Sequence, residues 1–195
     1  MSVKIVGGVG VVRVLVIGDF HVPWRRPRVP GVVLRAVRGL RPDLVLCTGD
    51  FTDEEVFCVV EGLGPLVAVR GEADCFYLPR CEFVEVGGLM FQVVHGEGVV
   101  HSPVFLCRRF WAGVADVVVL GHVHEPYFYS VRVGEKNICF VNPGSATGVS
   151  SGVCGESAPS FVVVDVEKGG LWARVFRFIG GGFRVEVYGY LKVIS

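Results

Sequence analysis

Four of the five histidines fall within one ordered series of short fragments: Gly18-Asp19-Phe20-His21, Gly49-Asp50, Gly71-Glu72-Ala73-Asp74, His95-Gly96 and Gly121-His122-Val123-His124. Mixed carboxylate and imidazole ligands suit Mn, Fe or Zn better than Ca or Mg. Asp19, His21, Asp50, Glu72, His95, His122 and His124 are too many for one tetrahedral ion. They suggest two divalent ions bridged by carboxylates such as Asp19 and Asp50, an arrangement that activates water and clamps an in-line phosphoryl displacement. Any one fragment by itself is ordinary, since Asp-x-His or Gly-Asp after a strand is usually a turn or a cap. Only the full ordered series points to metal. His101 stands outside it and reads as a histidine flanking a helix.

Such ligands need rigid elements behind them. Runs of apolar, mostly β-branched residues precede them: Val-Leu-Val-Ile before Gly18-Asp19, Leu-Val-Leu before Cys47, Val-Val-Val-Leu before Gly121. Buried strands with ligands on the loops that leave them are therefore expected, as at the carboxyl ends of strands in open α/β folds. Side chains alternate along a strand with period two. On that spacing Asp19 with His21, and His122 with His124, can each chelate from one strand end.

Strand and helix signals alternate over the first two thirds, as in βαβ units. Strands are expected at 12–17, 44–47, 66–69, 82–86, 89–94 and 117–120. Pro23, Pro27 and Pro30 enforce a loop over 23–30, followed by a helix over 31–38. Thr52 with Glu55 forms a capping box for a helix over 53–61. Ser102-Pro103 starts another that ends near Gly113. From Tyr127 onward the pattern is hairpins: 127–133 with 137–141, then 161–166, 171–178 and 183–188, the last two joined at Gly180-Gly181-Gly182. The fold class expected is α/β, a two-sheet α/β sandwich with helices packed outside. Residues 1–11 read as a Gly-rich N-terminal extension and 12–195 as a single domain.

The chain has 195 residues, about half of them apolar, with 19 basic against 19 acidic side chains. That balance carries no basic stripe of the kind a nucleic-acid partner requires. No segment reaches the roughly 18 uncharged apolar residues of a membrane span, so a soluble protein is expected. The seven cysteines form no Cys-x-x-Cys pair; they read as reduced, mostly buried thiols of a cytosolic protein.

The ordered fragments resemble the calcineurin-like metallophosphoesterase superfamily, whose pattern reads Asp-x-His, Gly-Asp, Gly-Asn-His-Asp/Glu, His and Gly-His-x-His. Within it, Leu46-Cys47-Thr48-Gly49, Val69-Arg70-Gly71, Val141-Asn142-Pro143-Gly144-Ser145-Ala146-Thr147-Gly148, Pro159-Ser160-Phe161-Val162 and the tail from Val175 through Val187 are similar to the retromer small-subunit family. That likeness implies a metallophosphoesterase-type sandwich that binds metal, Zn or Mn, but serves mainly as a scaffold. It would cap one end of a large α-solenoid retromer subunit in endosome-to-Golgi protein transport. The protein would then be cytoplasmic and peripheral on endosomal membranes, touching membrane only through the complex. By position, Val99, Val100, His101 and Ser102 would belong to the solenoid-facing rim. Val163, Phe176 and Val185 would belong to an apolar patch for regulatory proteins. Arg13, Ala36 and Arg174 depart from the apolar residues usual there.

Two positions speak to catalysis. Where active members mostly carry Asn and an acid/base His, this chain has Glu72 and Ala73. Alanine cannot protonate a leaving group, a contribution of roughly 10²–10⁴-fold in rate. An ionised Glu72 removes a unit of positive charge from a two-ion site. An anionic phosphate loses about 3 kcal/mol by that, at about 5 Å and an effective dielectric near 20. Asp50 keeps an acidic bridging ligand that retromer subunits often replace with Asn. The alternative is therefore a stand-alone Mn- or Zn-dependent phosphodiesterase using metal-activated water.

Overall fold

The structure is a computed structural model that describes residues 4–6, 10–99, 101–110, 114–151 and 157–191. Among the described residues, twelve strands and three helices follow in chain order: β1 Lys4–Val6, β2 Val12–Ile17, α1 Gly31–Leu40, β3 Leu44–Cys47, α2 Glu54–Glu61, β4 Leu66–Ala68, β5 Cys81–Val86, β6 Leu89–Val94, α3 Pro103–Phe110, β7 Val117–Val119, β8 Tyr127–Val133, β9 Lys136–Asn142, β10 Ser160–Glu167, β11 Gly170–Ile179 and β12 Gly182–Leu191. They form two six-stranded sheets, ordered β1-β5-β6-β7-β9-β8 and β12-β11-β10-β2-β3-β4. This is the expected α/β sandwich.

Period-two alternation builds the three apolar layers. Val12, Val14 and Val16 of β2 face the other sheet, meeting Phe91, Val93, Val117 and Val119 in the central core. Leu15 and Ile17, on the opposite face, pack beneath α1 and α2 with Val33, Val37, Val56 and Val60. A third cluster, around Leu106, Leu120 and Phe140, lies under α3. Strands β2, β3 and β4 run parallel, as do β6, β7 and β9, and at their centres β2, β3 and β7 are buried on both faces. Helices cover such strands on the outside, which explains why they read as continuous apolar runs.

Several details differ from the sequence expectation. Lys4–Val6, inside the segment expected as an extension, pairs in parallel with β5 through Lys4↔Val84, Ile5↔Glu85 and Val6↔Val86. The cap of α2 is Asp53, whose carboxylate accepts from Glu55 N–H at 2.7 Å. Thr52 is instead in the left-handed region with its hydroxyl donating to Val22 O, so the capping box does not form. Six described cysteines are free thiols, and Cys154 lies outside the described residues. No helix among those described is long and apolar enough to cross a membrane.

Candidate metal centre

The two sheets meet at one end in the loops that leave β2, β3, β4, β6, β7 and β9. Asp19, His21, Asp50 and Glu72 come from the sheet that contains β2; His95, His122 and His124 come from the other. The first two loops are stitched together by their backbones. Asp19 N–H donates to Gly49 O at 2.9 Å, and Phe20 and His21 N–H both donate to Asp50 O, at 2.9 and 3.0 Å.

The expected pairs do approach one another, but not by strand pleat. Asp19, His21, Asp50, His122 and His124 have φ of 53°, 49°, 56°, 71° and 59°. Positive φ is uncommon for residues other than glycine, though less so for Asp and His. It persists where the surroundings overdetermine it. Here the end of β9 and the loop after it do so: Ser145 Oγ donates to Asp19 O at 2.7 Å, Thr147 Oγ1 to Phe20 O at 2.8 Å and Asn142 Nδ2 to Gly121 O at 2.8 Å. Asp74 does the same for the second loop, accepting from Asp50 N (2.9 Å), Gly71 N (2.8 Å) and Thr52 N (3.0 Å). None of these four side chains was a candidate site residue. Their only sequence signal was membership of the Asn142–Gly148 and Gly71–Asp74 motifs.

Close approach explains two of the glycines beside the site, Gly121 and Gly71. A Cβ on Gly121 would lie 2.6 Å from Asp19 Oδ2, and one on Gly71 would overlap the Asp50 carboxylate. Both loops can therefore lie against the acidic centre only without side chains of their own.

Asp19, His21, Asp50 and His124 are all buried and offer ligand atoms within 4.8 Å of one another. Ligands about 2.0–2.2 Å from one tetrahedral Zn ion stand about 3.3–3.6 Å from one another, and His21 Nε2 with Asp50 Oδ2 and His124 Nε2 with Asp19 Oδ1 are each 3.2 Å apart. His124 Nδ1 meets Val149 O at 2.9 Å and His95 Nδ1 meets Thr48 O at 2.7 Å. An Nδ1–H donated to a carbonyl leaves Nε2 with its lone pair turned inward, the usual support for a metal-bound histidine. His21 Nε2 and His124 Nε2 stand 3.1 Å apart. His95 Nε2 is buried, 3.4 Å from Asp50 Oδ2, and makes no hydrogen bond. Converging imidazole nitrogens and an orphaned buried one fit a cation among them.

The protonation preferences are those of acids and bases forced together. Burial pushes the Asp50 carboxyl up to about 6 and pulls the His21 imidazole down to about 4. Burial also acts against an ionised Asp19, but its hydrogen bond with His124 and the neighbouring His95 outweigh this and lower its pKa. His95 and His124 shift upward, because the aspartates outweigh the cost of burying their charge. Protons on these rings occupy positions that a divalent ion would take.

The remaining candidates form an open rim. Glu72, largely exposed, lies 3.6 Å from His122 Nδ1. The His122 ring is 5.4 Å from that of His95, and the His122 backbone N–H donates to Asp19 Oδ1 at 2.9 Å. Ala73 contributes only its backbone N–H, donated to Asp50 Oδ1 at 2.8 Å. His101 is more than a helix-flanking residue. Its Nδ1 meets Tyr127 Oη at 2.8 Å, its Nε2 meets Gly96 O at 3.3 Å, and its ring stands 6.5 Å from His122.

Val99 and Ser102 are half-buried beside it, whereas Val100 lies outside the described residues. Of the expected apolar patch, Val185 is exposed and Phe176 is half-buried, stacked on Phe161 with ring centroids 4.8 Å apart. Val163 is a correction: it is fully buried in the layer under the helices and cannot meet a partner. Beside the patch Asp165 is shared by two cations, Arg13 at 3.0 Å and Arg174 at 2.5 Å, which leaves one net positive charge there.

Residues 12–169 match the model of the calcineurin-like phosphoesterase superfamily domain. The probable metallophosphoesterase of Methanocaldococcus jannaschii is 33% identical over 141 residues, covering 71% of this chain and 70% of that one. Among solved structures, wild-type Vps29 of Entamoeba histolytica complexed with Zn has a TM-score of 0.81 and 30% identity, covering 91% of this chain and 99% of that one. Vps29 of Chaetomium thermophilum has a TM-score of 0.80 and 27% identity, covering 93% and 100%. Both likenesses extend beyond the residues of the superfamily model. With fold, ordered ligand fragments and matched length in agreement, this chain belongs to the calcineurin-like phosphoesterase superfamily.

Proposed function

We propose that this protein is a Vps29-type scaffold whose metal centre shapes a docking surface rather than a fast hydrolase. One observation carries the reading. At the position of the acid/base histidine stands Ala73, which presents only a backbone N–H that is already donated to Asp50. Asp19, His21, Asp50 and His124 would hold one Zn or Mn ion; Asp50, Glu72, His95 and His122 would hold a second. Bound there, such ions would fix the loops and polarise water. The partner would be a large α-solenoid retromer subunit, seated on the rim that includes Val99, Val100, His101 and Ser102. Regulatory proteins would meet the surface bearing Phe176 and Val185. The protein would reach endosomal membranes through that complex.

Asp50 and the similarity to a probable metallophosphoesterase support a second reading, a stand-alone metal-dependent phosphodiesterase. Affinity capture from native extract, run with wild type and Val100→Asp, distinguishes the two. The scaffold reading expects a large helical-repeat protein that is retained by wild type and lost by the variant. Absence of that protein, together with Mn-dependent turnover of a chromogenic phosphodiester that Asp50→Ala abolishes, would establish the enzyme instead.

A further inference from the structure

Strand β12 is ten residues long and closes one edge of its sheet, paired only with β11 among the described residues. A long unprotected edge is a template for another strand. Its sequence over 183–187 is Phe-Arg-Val-Glu-Val. Phe183, Val185 and Val187 share one face, opposite Phe178, Phe176 and Arg174 of β11; Arg184 and Glu186 share the other, opposite Arg177 and Val175.

Arg184 is poorly served within its own chain. It is exposed, its cross-strand neighbour is another cation, Arg177, and among the described residues it has no ion pair. Arg177 already takes Glu125 at 2.6 Å and approaches Glu186 at 3.9 Å. Like charges directly opposite on a sheet are destabilising. Val185 and Val187 are 45% and 60% exposed, so the apolar face of the strand is also left open at its edge.

We propose that β12 pairs antiparallel with β12 of a second copy of this chain, about a two-fold axis at Val185. In that register Arg184 stands opposite the copy's Glu186, and Glu186 opposite its Arg184. Val185 meets its own copy and Phe183 meets Val187. Both faces of the strand are then matched at once, and two six-stranded sheets become one of twelve. Shifting the register by two residues in either direction sets Arg184 against Arg184 or Glu186 against Glu186, so the charges select one alignment. A two-fold interface of this kind is self-complementary by construction. The surface is remote in sequence from the metal ligands and independent of how the metal centre is used.

Sedimentation of the full chain over a concentration series, at low and moderate salt, tests this. Wild type dimerises reversibly, more strongly at low salt. Arg184→Glu raises the dissociation constant at least about tenfold, because both charge pairs become repulsive. The same change sets Glu opposite Arg177 within the chain, so the variant melts no lower than wild type and loss of folding cannot explain the result. Mixing Arg184→Glu with Glu186→Arg restores association as a heterodimer. If Glu186→Arg does not fold, Val185→Lys, which places two cations at the axis, dissociates the dimer. Because Arg184 lies on the face opposite Val185, a different protein covering the apolar face would be sensitive to Val185→Lys and not to Arg184→Glu. A wild type that stays monomeric, a dimer that ignores Arg184→Glu, or a mixture that fails to associate would overturn the proposal.

Discussion

The metal centre has two unlike halves. Asp19, His21, Asp50 and His124 are buried, interlocked and supported from behind by Asp74, Ser145 and Thr147. Glu72 and His122 stand on an accessible rim, paired loosely at 3.6 Å. Burying two carboxylates and two imidazoles is costly unless each is compensated, and the inner half is built to hold a cation whatever the protein does with it. Substitution on the exposed rim carries less structural cost than in the buried half. Here Glu72 and Ala73 occupy the rim.

The largest expected effect separates those halves. His124→Ala removes a ligand from the buried set, and metal analysis of the purified protein is expected to find no stoichiometric ion. His122→Ala is expected to leave one ion bound. Equal losses in both would erase the distinction. Next is Asp74→Ala, which strands three backbone N–H groups. At about 1–3 kcal/mol for each unsatisfied group, denaturant unfolding should show a loss of at least about 3 kcal/mol. A loss under about 1 kcal/mol would mean that the loops do not depend on it.

Glu72→Asn combined with Ala73→His tests the rim. It restores a proton donor, and phosphodiester turnover should rise about 10²-fold or more; an unchanged rate would place the block elsewhere. Acidity gives the smallest and most gradual effect. Metal binding requires Asp50 ionised and His95 and His124 neutral. Since Asp50 titrates near 6 and both histidines are shifted upward, metal is held above that range. It is released as pH falls into that range, where protons compete for the ligand atoms. Titration with a fluorescent chelator would follow the release, and pH-independent retention down to pH 4 would contradict it.

Much of this was legible before any coordinates. Apolar runs before Asp19, Cys47 and Gly121 marked the strands, and Pro23 to Pro30 marked the loop. The ordered Asp and His fragments marked the metal loops. Other features were not legible, because they depend on contacts between distant segments. Nothing local distinguishes Asp74 from an ordinary turn aspartate until the second and third loops are brought together around it. Thr52 has the spacing of a cap, but Val22 O captures its hydroxyl. Resemblance alone places Val163 on a surface patch, yet it lies in the apolar run Phe161-Val162-Val163-Val164, Leu15 pairs beside it and helices cover that layer.

The sequence by itself determined which residue types would meet, since apolar periodicity sets the strands and the fragments ride on their ends. Only the tertiary structure decided how they meet. Left-handed turns at Asp19, His21, Asp50, His122 and His124 cannot be read from composition, because they are held by hydrogen bonds from the loop after β9 and by Asp74. Those bonds exist only once two sheets, built from segments far apart in the chain, have closed on one another.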